Sequence, residues 1–344
     1  MKTIAELREH FGVEVMLLGH HYQRPEVLRH CDVVGDSLEL ARRAAESDAE
    51  KIVLCGVRFM AESAAILVKR YQGVYLPVLQ AGCPMADMAE LDDVQRAWAR
   101  LQKVNAKWAP VVYVNSSAQI KAFCGENNGS ACTSGNCAAV LRKYLESGCK
   151  IFFLPDEHLA ANTAHDLGIG DDQVVRYNPH VADGGLTDRQ LFSARIVVWA
   201  GFCHVHMRFH PEHVRAVRQK YPEAKVIVHP EAPKETVRLC DAHGSTAAII
   251  RYVEKSIEGS TIVIGTEGRL VERLAEEHRG KRTILALQPS VCPNMAKTTE
   301  ESVAALLNSL VEDTLYEKHP HCITVSDALR RPARTCLENM LAAL

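Results

Sequence analysis

The strongest constraint on the fold is a threefold repetition within the chain. Three apolar strands end in a polar residue and run into a helical pattern: VMLLGHHYQRPEVLRHC, PVVYVNSSAQIKAFC and KVIVHPEAPKETVRLC. Their matched positions are His20, Asn115 and His229, and a cysteine closes each segment, at Cys31, Cys124 and Cys240. A hydroxyl-bearing turn then opens another helical pattern, in GDSLELARRA, CTSGNCAAVLRKY and HGSTAAIIRYV. A second strand follows in each copy, KIVLCG, KIFFLP and TIVIGT. The third strands, LPVLQAGCPM, IVVWAGFCHVH and ILALQPSVCPNM, each end in a cysteine. His20 and Cys83 lie 63 positions apart, as do His229 and Cys292, whereas Asn115 and Cys203 lie 88 apart. Most of that excess falls in GIGDDQVVRYNPHVADGGLTDRQLFSAR, which is rich in Gly and Asp and reads as an inserted surface loop.

Strands alternating with helices specify α/β layering with parallel sheets. The chain's 344 residues exceed the roughly 250–300 that one core sustains. The expected fold is therefore three pseudo-threefold-related α/β/α units with parallel sheets around a central cavity. The units are expected at 1–84, 85–203 (with the insertion near 168–193) and 204–305, with 306–344 a candidate to rejoin the first. Ligand-facing residues of such sheets sit just beyond the carboxyl ends of the strands, where all the marked residues fall.

Composition narrows the function classes. Net charge is −2 and no long basic block exists, so nucleic acid is not an expected partner. No apolar run approaches the ~20 residues that span a bilayer. MKTIAELREHFG lacks the apolar stretch of a signal peptide, so the cytoplasm is the default location.

There, twelve cysteines point toward packing, reactive or metal-bound thiols rather than disulfides. GFCHVH, residues 201–206, has the look of a zinc site. Structural zinc, however, takes four ligands, usually with close C-x-x-C pairs, and Cys83, Cys203 and Cys292 have none. Three cysteines meeting from three units suit a soft metal centre. On a [4Fe–4S] cubane they would leave one iron open, a Lewis acid for removing water. The rival trio, Cys124, Cys132 and Cys137, is clustered in sequence but flanks a turn and a packing position, and is the weaker candidate. Cys55 and Cys149 lie in or beside strands and are expected to pack.

The ordered motifs GHHYQRPEV, GDS, FMAE, YVNSS, CTSGN, FLPDEHLA, GFCHVHMRF, HPE, GST and CPNM resemble the iron–sulfur quinolinate synthase A family over nearly the whole chain. The resemblance implies condensation of iminoaspartate with dihydroxyacetone phosphate to quinolinate, on the route to NAD. It places a [4Fe–4S] cluster on Cys83, Cys203 and Cys292. Two features depart from relatives: the longer middle unit, and a CPNM without the neighbouring cysteines that some carry.

Condensation and dehydration need proton transfers, for which imidazoles and carboxylates titrate in range. Glu231 is assigned as general base, with His20, His206 and His229 positioning substrate and moving protons. Tyr22 and Tyr113 orient intermediates, and Asn115 takes a substrate carboxylate. The turns at Ser37, Ser134, and Ser245 with Thr246 are singly just helix caps, but three matched turns suit anionic substrates. Met60 and Met295 are cavity walls. His204 is read as structural, pointing away from Cys203 along an extended segment. L-aspartate oxidase is a partner suggested by the pathway alone, and the sequence leaves monomer or homodimer open. The alternatives are another aconitase-like iron–sulfur hydro-lyase and an iron–sulfur sensor or binding protein.

Overall fold

The computed structural model describes residues 2–105, 107–311 and 318–342. Its strands form three all-parallel sheets. The first contains β1 (Val15–His20), β2 (Val33–Gly35), β3 (Lys51–Cys55) and β4 (Gly73–Tyr75). The second contains β5 (Trp108–Tyr113), β6 (Ser130–Cys132), β7 (Lys150–Leu154), β8 (Val174–Tyr177) and β9 (Ile196–Trp199). The third contains β10 (Lys225–Val228), β11 (Ala242–His243), β12 (Thr261–Gly265) and β13 (Thr283–Ala286). Strand orders are β2-β1-β3-β4, β6-β5-β7-β9-β8 and β11-β10-β12-β13, so one topology occurs three times.

The strands are near-continuous apolar runs because helices cover parallel sheets on both faces. All six residues of β5 and four of five in each of β3, β7 and β12 are buried. Each fully buried Val, Leu or Ile contributes roughly 1.5–3 kcal/mol. Close packing also dictates Gly19 in β1, where a Cβ would lie 2.6 Å from the Cys31 sulfur.

The chain divides into two compact units: Met1–Cys83 with Val291–Arg330, and Pro84–Ser290 with Arg331–Leu344. In the first, helices Ile4–Phe11 and Glu300–Leu310 join Leu7, Phe11, Val303 and Leu307 to the core beside β1. The strand-like segment at Cys322 bridges to Tyr75, extending that sheet's edge. The second unit holds the second and third sheets. Its C-terminal residues attach through Asn136 Nδ2, donating to the Met340 carbonyl, and Asn339 Nδ2, donating to the Gly129 carbonyl.

The stretch read as an inserted surface loop departs from that expectation. Residues 174–177, Val-Val-Arg-Tyr, form β8 and add a fifth strand beside β9. Tyr177 stacks on Trp199, with centroids 5.7 Å apart, and this apolar anchor converts the stretch into a sheet edge.

Candidate active site

The three copies share a device that positions their cysteines. The first N–H of the helix after the second matched strand donates to a carbonyl in the loop after the last. The pairs are Arg58 to Ala81 (2.8 Å), Glu157 to Gly201 (2.9 Å) and Gly268 to Ser290 (2.6 Å). Cys83, Cys203 and Cys292 each lie two residues beyond the anchored carbonyl. They therefore sit in loops past the strands rather than ending them, four to eight residues beyond Tyr75, Trp199 and Ala286. At Gly201 a Cβ would meet the Pro155 carbonyl oxygen at 2.3 Å, so only glycine lets this loop close down. Within the first unit, Lys297 Nζ donates to the Gln80 carbonyl (2.7 Å), tying the loops of Cys292 and Cys83 together.

All three cysteines are half-buried, whereas Cys124, Cys132 and Cys137 are buried. Burial pushes the thiols of Cys124 and Cys132 well up, and Cys124 donates to the Pro110 carbonyl at 3.3 Å. Thiols so held are packing groups.

GFCHVH is not extended as expected. The N–H groups of His206 and Met207 both donate to the Cys203 carbonyl, making a tight turn into the short helix His206–Arg208. The direction expected for His204 from an extended backbone therefore does not apply. The turn places the Cys203 sulfur and the ligand atoms of His206 and Glu231 within 4.8 Å of one another.

Within the second unit, Tyr113, His206, His229 and Glu231 come together. Tyr113 ends β5, and His229 and Glu231 follow β10, each just past a carboxyl edge. Tyr113 Oη donates to Glu231 Oε1 at 2.5 Å, and His206 Nδ1 pairs with Oε2 at 2.8 Å. His206 Nε2 lies 3.2 Å from the Thr266 hydroxyl. The rings of His206 and His229 stack, with centroids 4.3 Å apart and planes at 13°. Glu231 N–H donates to His229 Nδ1 at 3.3 Å, so neutral His229 carries its proton on Nε2.

The charges of this buried cluster follow. For Glu231, burial acts upward but is outweighed by the electrostatic influence of the adjacent His206 and His229 imidazoles and by hydrogen bonds from His206 and Tyr113, so its pKa falls to about 2. Burial, then the field of His206, brings His229 down to about 3. The geometry is a buried carboxylate hydrogen-bonded to the His206 imidazole and the Tyr113 hydroxyl, beside a neutral His229.

The remaining positions fall as follows. Asn115 lies two residues past β5, half-buried. Ser134 precedes helix Cys137–Glu146, and Ser245 caps helix Thr246–Lys255 by accepting from Ala248 N–H at 3.3 Å. A Cβ at Gly135 would lie 3.6 Å from the hydroxyls of both Thr133 and Ser245, so these two turns abut. In the first unit, Ser37 begins helix Ser37–Glu46, but the Asp36 carboxylate supplies the cap. His20 repeats the His229 arrangement: its Nδ1 accepts Tyr22 N–H at 3.2 Å, and the two rings meet edge to face. Met60 and Met295 are buried, and the Met295 sulfur accepts from Gln23 Nε2 at 3.5 Å.

Three residues of this site escape a reading of the sequence, Thr266, Asn162 and Ser290, and a fourth, Asp156 of FLPDEHLA, is in a motif that assigns it no role. Ser290 Oγ donates to the Val205 carbonyl at 2.7 Å, behind His206. Asp156 is fully buried, and burial followed by the Glu231 charge pushes its carboxyl up. Its Oδ1 caps a helix through Leu159 N–H. Thr266, Asn162 and Ser290 stand in ordinary strand-end, helical and loop contexts without a local signal.

The chain matches the family described as NadA: Quinolinate synthetase A protein over residues 2–342. Among curated relatives named quinolinate synthase, that of Corynebacterium glutamicum is 43% identical, covering 100% of this chain and 87% of the relative. That of Acidobacterium capsulatum is 43% identical, covering 99% and 92%. That of Streptomyces coelicolor is 44% identical, covering 97% and 86%.

Proposed function

Because the chain belongs to the quinolinate synthase family, enzymes of NAD biosynthesis, we propose that it condenses iminoaspartate with dihydroxyacetone phosphate and dehydrates the product to quinolinate. The observation that carries this reading is the buried Glu231 carboxylate, held on both oxygens by groups able to exchange protons. Repeated proton transfer needs such a set, and carboxylate, phenol and two imidazoles are adjacent in one unit.

The cofactor we assign is a [4Fe–4S] cluster on Cys83, Cys203 and Cys292. The donor set fits it: three half-buried thiols, each two residues past an equivalent anchored carbonyl. Bound there, the cluster would supply an open iron as Lewis acid for a substrate oxygen. No helix of the described residues is long and apolar enough to cross a membrane.

The chain's own residues divide the remaining work. With a pKa near 2, Glu231 is ionised at neutral pH but weakly basic. A substrate group that displaces the Tyr113 hydroxyl or the His206 N–H removes a bond that favours the anion, and so raises its basicity. Glu231 is thus a general base activated by substrate contact. His229 presents Nε2–H as a donor, and the His20 arrangement offers the same in the first unit. His206 pairs with Glu231 through Nδ1 and can pass protons to or from it, while Tyr22 and Tyr113 orient intermediates. Asn115 takes a carboxylate. Ser37, Ser134, Ser245 and Thr246, near helix starts, suit phosphate and carboxylate oxygens, and Met60 and Met295 form apolar walls.

The test is anaerobic purification, iron and sulfide counts, and a quinolinate assay with both substrates. Bound iron and sulfide with quinolinate formed only when both substrates are present is the expected result. Zinc without sulfide, or turnover of a di- or tricarboxylate independent of dihydroxyacetone phosphate, would overturn the proposal.

A further inference from the structure

We propose that Asn162 is a positioning residue that locks Glu231 in register with the Cys203 loop. The inference rests on the reading of Glu231 as the base.

Asn162 lies inside helix Glu157–Asp166 and is 3% exposed. Its Nδ2 donates to the Pro230 carbonyl at 2.8 Å and to the Ala232 carbonyl at 2.9 Å. One amide nitrogen has two N–H groups, and both are committed, one on each side of Glu231. Asparagine is a mediocre helix former, so helix formation does not account for it.

The same helix anchors the other half of the site. Its first residue, Glu157, donates N–H to the Gly201 carbonyl, and Asp156 bridges to Gly201 in strand fashion. Cys203 follows two residues later. Residues 156–162 therefore fix two loops against one rigid element: the Cys203 loop at the helix start, the Glu231 loop near its middle.

The matched helices of the other copies, Arg58–Leu67 and Gly268–Glu277, carry no asparagine. Aligned on Arg58, Glu157 and Gly268, the counterparts of Asn162 are Ser63 and Arg273. Ser63 Oγ donates back into its own helix, to Phe59 O at 2.8 Å, and Arg273 pairs with Glu277 along its helix. The amide occurs only in the copy whose helix meets the loop of the buried carboxylate.

A displacement of about 1 Å can cost about 100-fold in rate. N162L keeps the branched shape and heavy-atom count but removes both donors. It is expected to lower kcat by about 30–100-fold, with KM for each substrate within about threefold and iron and sulfide per chain unchanged. N162S, retaining one donor, should fall between. A crystal structure of N162L should show the Glu231 carboxylate drawn away from Tyr113 and His206. Parent-like kcat in N162L overturns the proposal, as does a fall in kcat with Glu231 unmoved. If N162L does not fold, N162S decides by the same two readings. E231Q measured alongside separates the premise: an active E231Q removes the base assignment, whereas an inactive E231Q beside a fully active N162L removes only the positioning role.

Discussion

The loop after β1 and the loop after β10 share a backbone and differ in chemistry. In each, a histidine Nδ1 accepts the N–H two residues on, at 3.2 and 3.3 Å. A following cysteine donates to the carbonyl four residues back, Cys31 to Val27 and Cys240 to Thr236. An aspartate accepts from the adjoining strand, Asp32 from Leu17 N–H and Asp241 from Val226 N–H, both at 2.8 Å. Yet the residue donating to the histidine is Tyr22 in one loop and Glu231 in the other. One carries a phenol against an imidazole edge; the other carries a buried carboxylate paired with His206 Nδ1. The frame is repeated, and the charge is concentrated in a single copy.

Breaking the frame's most distinctive element should give the largest effect. Single Cys→Ala changes at 83, 203 and 292 are expected to abolish bound iron and all turnover, because each removes a thiolate donor. The same change at Cys132 or Cys137 removes a core thiol and should leave iron content intact. Parent-level iron in C203A, or loss of iron in C132A from a folded protein, would contradict the assignment.

The next effect separates the two loops. E231Q keeps shape and hydrogen-bond capacity but loses the charge, and should reduce kcat by about 1,000-fold or more while the cluster absorbance persists. Y22F removes one orienting hydroxyl and should cost about 10-fold or less. Equal losses in the two variants, measured at matched iron content, would mean that the loops contribute alike and that the base is misassigned.

Much of the frame was legible in the sequence because spacing preserves it. The 63-residue intervals and the apolar runs of β3, β7 and β12 report a repeated sheet with little ambiguity. The short strands β2, β6 and β11, of two or three residues, give no periodic signal. β8 was hidden because its four residues lie among Gly and Asp, and Trp199, 22 residues on, gives Tyr177 its stacking partner. At the site, residues beside motif histidines and cysteines were visible. Asn162, Thr266 and Ser290 were not, since their roles lie in bonds to chain segments 60–85 residues away. The strongly acidic pKa of Glu231 was also out of reach, because it depends on His206 and Tyr113 closing on it from two other loops.

The smallest effect tests whether the shared frame is also energetically shared. Asp32 pairs with Arg8, and Asp241 with Arg218 at 2.7 Å. In each, burial pushes the carboxyl up, but the guanidinium and the strand N–H outweigh it, so the net pKa is lowered. A lowered carboxyl stabilises the fold above its unfolded pKa of about 3.9, and that contribution disappears as pH falls through the folded value. D32N and D241N keep an oxygen that can accept the strand N–H, so only the ion pair is lost. Solvent screens both pairs, and each substitution should cost about 0.5–1 kcal/mol at pH 7. The difference from the parent should shrink as the pH falls below the unfolded value and vanish once it is below the lowered folded one. Thermal melts across this range check it. If one variant costs several kcal/mol while the other costs nothing, the two frames match in geometry without matching in energy. A deficit that does not shrink at all as the pH falls through the acid range would show that the aspartates act through packing rather than charge.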